Sequence, residues 1–197
     1  MAGLGVRARR GPAVTEPVAV VAPMRVMVVS AISRESSSCH VLAQLVAGLV
    51  AAEPGVEVDF VHPADVGVPV NDGTVPDDHP AALAWQERVA ATHCHIWVSP
   101  EYHSGMTGAM KNLLDFLGKE PMSGDVIGLV ALAGGGMAAL NTLNNMSVVA
   151  RSLGAWVAPE HCALNSNDVK AGLGEADVRR LQTMVSSVVG MGRRVYG

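Results

Sequence analysis

The chain has 197 residues, 49% of them hydrophobic, and a formal net charge of −4. That length and apolar content suit one domain with a sizeable core. Seven of the fourteen basic residues lie near the two ends, and none forms a stripe along a predicted helix, which argues against a nucleic-acid partner.

In chain order, the opening "MAGLGVRARRGPAVTEPVAVVAPM" has arginines but lacks the charged, apolar and cleavage-site order of a secretion signal. A disordered extension is expected over residues 1–24, followed by a single domain over 25–197. "RVMVVS" (25–30) predicts a buried strand, and residues 36–53 a helix entered through serines that cap it. A strand follows at 56–61, then a loop rich in Pro, Gly and Asp. A helix over 79–93 has Pro80 in its first turn. A strand at 95–99 leads through "SPEYHSGMTGAMKN" into a helix over 107–119. A strand at 126–133, a helix at 137–154, a short strand at 155–159 and a last helix at 175–195 complete the chain. No charge occurs between Asp125 and Arg151, but glycines and asparagines interrupt that run. A buried strand, a glycine loop and a buried helix explain it better than a membrane span.

Five strands alternating with five helices predict an α/β fold with a parallel sheet covered on both faces. The strands are continuously apolar, as strands buried on both sides are. For five strands the expected order is 2-1-3-4-5, with the ligand beyond the carboxyl ends of the strands, where the order reverses. Three loops are placed there, all rich in Ser or Gly.

The first loop, "SAISRESSSC", enters a helix N-terminus, where free amides favour an anion. Arg34 adds a forked cation, and Ser36, Ser37 and Ser38 add hydroxyls, the chemistry of a phosphate cradle. An ordinary serine-capped helix is the plainer alternative. The second loop, Pro100, Glu101, Tyr102, His103, Ser104 and Gly105, has no second carboxylate or nucleophile nearby in sequence. Its amides and tyrosine ring suit a planar ligand such as a flavin. The third, Ala133, Gly134, Gly135, Gly136 and Met137, formally matches a dinucleotide fingerprint, with Glu160 at a plausible distance. That fingerprint normally follows a first strand rather than a fourth, so close approach to a flat ring is the preferred reading. Cys39, Cys94 and Cys162 are odd in number and widely spaced, which points to a reducing compartment, the cytoplasm. His93 and His95 form an H-x-H pair, read as histidines flanking the start of a buried strand rather than as metal ligands. No metal is expected.

"SPEYHSGMTGAMKNLLDFL" and "ALAGGGMAALNTLNNM" resemble the two central motifs of the NADPH-dependent FMN reductase family, in its azoreductase and quinone-reductase branch. The resemblance covers roughly residues 25–164. It implies a flavodoxin-like three-layer sandwich. It also implies an FMN-containing oxidoreductase that takes a hydride from NADPH or NADH and passes electrons to a quinone, an azo compound or free flavin. By the same resemblance, the residues named in the three loops hold FMN, and the hydride chemistry resides on the cofactor. Ala31 and Ile32 stand where the family's phosphate loop has Gly followed by Ser or Thr, and Glu35 adds an anion. These departures favour an alternative, a flavin-depleted protein with a structural or regulatory role. Met106, Met110, Leu113, Leu114 and Leu117 recur at helical spacing, and the 137–154 helix carries one charge. Both helices are expected to pair across a two-fold axis, giving a homodimer or a dimer of dimers, with no membrane association.

Overall fold

In the computed structural model, residues 23–76, 78–135 and 139–196 are described. Of the extension expected over residues 1–24, residues 1–22 lie outside them, and Met24 already belongs to the first strand. Five parallel strands run in the order β2-β1-β3-β4-β5, as the alternating pattern requires. They are β1 (Met24–Ser30), β2 (Val56–Val61), β3 (Cys94–Pro100), β4 (Val126–Ala133) and β5 (Trp156–Asn165).

Successive side chains leave a strand on opposite faces, so each central strand feeds two cores. Val26 and Val28 of β1, Ile96 and Val98 of β3, and Val130 and Leu132 of β4 pack on one side. There they meet α1 (Ser38–Ala51) and α7 (Glu175–Tyr196). Met27, Val29, Trp97, Ile127 and Leu129 pack on the other. That face is covered by α3 (Pro80–Ala90), α4 (Gly108–Asp115) and α5 (Leu140–Ser152). The chargeless run after Asp125 is therefore β4, a loop and α5. No described helix is long and apolar enough to cross a membrane.

Three elements escaped the sequence reading: the four-residue α2 (Pro63–Val66), a 3-10 turn at Glu120–Met122, and α6 (Ser166–Ala171). A fourth difference is β5, which the reading ended at Pro159 and which continues to Asn165. Proline lacks the ladder donor, and it is tolerated here because β5 is an edge strand. The register passes from Ile127 opposite Val157 to Leu129 opposite His161, so Pro159 sits in a bulge.

The amino ends of β3 and β4 carry a polar chain that runs from buried His95 and Asp125 out to exposed Tyr196. His95 Nε2 lies 2.8 Å from Asp125 Oδ2, and the Tyr196 hydroxyl donates to Asp125 Oδ1 at 2.7 Å. The H-x-H pair thus flanks the start of β3, far along the sheet from the three loops.

Candidate active-site cleft

The loops that follow β1, β3 and β4 meet at one cleft of about 390 Å³. Thr107 joins the first two. It caps α4 by accepting from Met110 N at 3.1 Å, donates its hydroxyl to Ala31 O at 2.6 Å, and its own amide reaches Ser99 Oγ at 3.3 Å. Helix α5 holds the second loop from the other side. Glu101 Oε2 accepts from both the amide (3.1 Å) and the hydroxyl (3.2 Å) of Thr142, and Asn145 Oδ1 accepts from Met106 N. A carboxylate there also meets the positive end of the helix dipole.

The anion-type end is built on β1 and α1. Arg34, Ser36, Ser37 and Ser38 all line the cleft. Ser37 is the N-cap of α1, accepting from His40 N at 3.1 Å, so the helix cap and the cleft lining share this residue. The amides of Ser38 and Cys39 precede the first intrahelical bond and remain available to an acceptor. Ala31 is fully buried, while Ile32 is partly buried and lines the cleft. Cys39 also lines it, but burial pushes its thiol up to about 12, so it stays protonated at neutral pH and is no nucleophile.

The flat end is built from the second and third loops. Pro100, Glu101, Tyr102, Ala133 and Gly134 line the cleft, with Tyr102 half exposed. His103 and Ser104 form the tip of a two-residue turn closed by Tyr102 N to Gly105 O (2.9 Å) and Gly105 N to Tyr102 O (3.1 Å). Both tip residues have positive φ, 50° and 67°. Neither they nor Gly105 and Gly135 contribute to the lining, although they stand beside it. Gly136 and Met137 lie outside the described residues. Glu160 does not line the cleft: its carboxylate accepts from the Ser187 hydroxyl in α7, away from the glycine loop, so it has no place in a dinucleotide fingerprint there.

Four further lining residues are not marked as site residues by the sequence: Cys39, Leu132, Ser166 and Lys170. Ser166 and Lys170 belong to α6, a helix too short to register as a periodic pattern. Among the described residues no group of three or more His, Cys, Asp or Glu side chains is placed to hold a metal. The donors at one end are hydroxyls, amides and a guanidinium, and the other end offers backbone and one aromatic ring. That set fits a phosphate-bearing planar molecule such as FMN.

The apolar face of α4 does not wait for a partner. Met106, Met110, Leu113, Leu114 and Leu117 are all buried within the chain. The contact expected there across a two-fold axis is therefore replaced by the chain's own core.

Comparison with known proteins agrees with this geometry. A family model described as NADPH-dependent FMN reductase matches residues 24–169. Among curated proteins, an NADPH-dependent FMN reductase ArsH of Acidithiobacillus ferrooxidans is 31% identical over 140 residues, 68% of this chain and 55% of that protein. An NADPH azoreductase of Bacillus sp. (strain OY1-2) is 37% identical over 81 residues, 41% of this chain and 46% of its own length. The matches thus span about half of each curated relative. Among solved structures, an apo NADH:FMN oxidoreductase (EMOB) superposes with a TM-score of 0.72 at 15% identity, covering 88% of this chain and 91% of the other. The oxidoreductase FerB of Paracoccus denitrificans gives 0.69 at 20% identity, covering 89% and 99%. A flavodoxin of Streptococcus pneumoniae TIGR4 gives 0.58 at 16%, covering 85% and 99%, so the fold is flavodoxin-like.

Proposed function

Because the chain belongs to the NADPH-dependent FMN reductase family, we propose that its cleft holds FMN, and that residues 25–197 act as one oxidoreductase domain using NADPH or NADH. The observation that carries this reading is the convergence of three loops, from the ends of β1, β3 and β4, on a single cleft. FMN, when bound, supplies the acceptance of a hydride and the release of electrons, so the protein's task is to bind, orient and shield.

Each residue then has a task. Arg34, Ser36 and Ser38, with the first amides of α1, bind the phosphate. Pro100, Glu101, Tyr102, Ala133 and Gly134 position the ring, and the Tyr102–Gly105 turn walls its edge. Glu101 is a positioning residue, since one of its oxygens is committed to Thr142. No side chain is assigned as an acid or a base. The acceptor is a planar, electron-poor molecule such as a quinone, an azo compound or free flavin, and half-exposed Tyr102 offers it an aromatic surface at the cleft. Three buried, unpaired thiols suit a reducing, cytoplasmic setting.

For assembly, we retain a homodimer, or a dimer of dimers, and move its seam to the outer face of α5. There Leu140 and Val148 are 54% and 59% exposed. A second reading, a flavin-depleted structural or regulatory protein, draws on apolar Ile32 in the lining and the anion Glu35 beside it. The visible spectrum of purified protein, followed by titration with FMN, separates the two. A flavin band, or saturable quenching of FMN fluorescence, supports the oxidoreductase. No quenching at high protein concentration supports the alternative.

A further inference from the structure

The charge at the phosphate end of the cleft does not balance on the first loop alone. A phosphate monoester carries about −1.5 to −2 at neutral pH. Arg34 brings one positive charge, and neighbouring Glu35 cancels it formally. Ile32 occupies part of the lining with a side chain that donates nothing. Among the described residues, the other cation lining the cleft is Lys170.

Lys170 comes from a separate element. Helix α6 follows the last strand and packs on α1, the helix whose N-terminus forms the cradle. Val169 and Leu173 are partly buried against the core that includes Cys39 and Leu42 of α1. Their packing fixes α6 and leaves Lys170 at the lip of the cleft. No carboxylate lies within salt-bridge distance of Lys170 or Arg34 among the described residues, whereas Arg25, Arg88, Arg179, Arg180 and Arg193 are each paired with one. Two cations from different elements, neither in a salt bridge, thus line one cleft together with the serines Ser36, Ser38 and Ser166.

We propose that Lys170 is the second arm of the phosphate clamp, completing with Arg34 the charge that the first loop lacks. This rests on the functional reading above, because the phosphate is taken to be that of FMN. Lysine carries a compact point charge on a flexible stem, so an exposed Lys170 can turn its ammonium toward a phosphate held by the first loop.

The test compares FMN with riboflavin, which lacks the phosphate, by fluorescence quenching on flavin-free protein. Lys170→Gln is expected to raise the Kd for FMN about ten-fold, as befits one charge-assisted contact, and to leave riboflavin within about two-fold. Lys170→Arg restores FMN affinity, and the Gln variant shows a shallower loss of FMN binding with added salt. Lys170 is exposed, and an unchanged thermal midpoint confirms that the fold is intact. If wild type prefers FMN and Lys170→Gln keeps the same preference, the role of Lys170 is overturned and the functional reading stands. Equal weakening of both flavins also overturns it, placing Lys170 on the shared part of the molecule. A rise in KM for NADPH but not for NADH, with FMN affinity unchanged, assigns the lysine to the dinucleotide phosphate and overturns the clamp. Wild type that binds neither flavin overturns the functional reading itself and the clamp with it.

Discussion

Arg34 shows how far a single residue was legible. Its type, in a serine-rich loop after the first strand, pointed to an anion, and it lines the cleft at the amino end of α1. Arg34→Ala is expected to weaken FMN by about 1.5–3 kcal/mol, the value of one hydrogen bond to a charged group, and to leave riboflavin nearly unchanged. Equal losses for both ligands would place Arg34 elsewhere. Lys170 was illegible for a physical reason: its place in the cleft depends on how α6 packs on α1, a contact between residues more than a hundred positions apart. His103 and Ser104 carry a different kind of hidden information. A two-residue turn with positive φ at both tips prefers Asn-Gly, because other side chains crowd the backbone there. Replacing the pair, His103→Asn with Ser104→Gly, is expected to raise stability by about 1 kcal/mol, read as a higher denaturant midpoint. An unchanged midpoint would mean that the turn bears no strain.

At the scale of elements, strands and long helices were readable because their signals are local. Central strands are apolar throughout, and α1 and α7 begin and end near the residues expected. The expectation for α4 failed in an instructive way. Its apolar stripe was visible, but a sequence does not say whether such a stripe meets its own sheet or another molecule. Here Trp85 Nε1 donates to Leu113 O at 2.9 Å and Gln86 Nε2 to Phe116 O at 2.8 Å, so α3 closes over it. On the opposite face, α7 lies unusually near the sheet. A Cβ placed on Gly128 of β4 would stand 2.5 Å from Met184 Sδ and 2.8 Å from Val188 Cγ2. Gly128→Ala is therefore expected to cost about 1–3 kcal/mol through overpacking. Thermal or chemical denaturation measures it, and a loss below about 0.5 kcal/mol would show that Met184 swings aside freely.

For the whole molecule, pH dependence follows from one buried histidine. His40 is 6% exposed, with ring centroids 5.6 Å from Phe60 and 5.1 Å from His62. Burial pulls its pKa below the ordinary 6.5, His62 adds to the effect, and Glu35 partly opposes it. Below 6.5 the unfolded chain takes up a proton before the folded one does. Stability thus falls as pH drops from 6.5 toward the folded value and levels off beneath it. Denaturation midpoints at pH 7.5 and 5.5 should differ less in His40→Gln than in wild type. An equal difference would move the effect to other groups. Assembly is tested at the same scale. Light scattering is expected to give at least a dimer at micromolar concentration, and Val148→Glu, on the exposed face of α5, a folded monomer. A monomeric wild type would reject the seam.

The bulge in β5 has a consequence for how the protein behaves in a crowd. An uninterrupted ten-residue edge would present a continuous row of donors and acceptors to any passing strand, and such edges recruit further chains into growing fibres. Pro159 removes a donor from the middle of that row, and the bulge turns the neighbouring residues out of line. What remains is a three-residue and a six-residue stretch, set out of line with each other, in place of one continuous ten-residue row. The residue that hid half of β5 from a sequence reader hides it equally from other molecules.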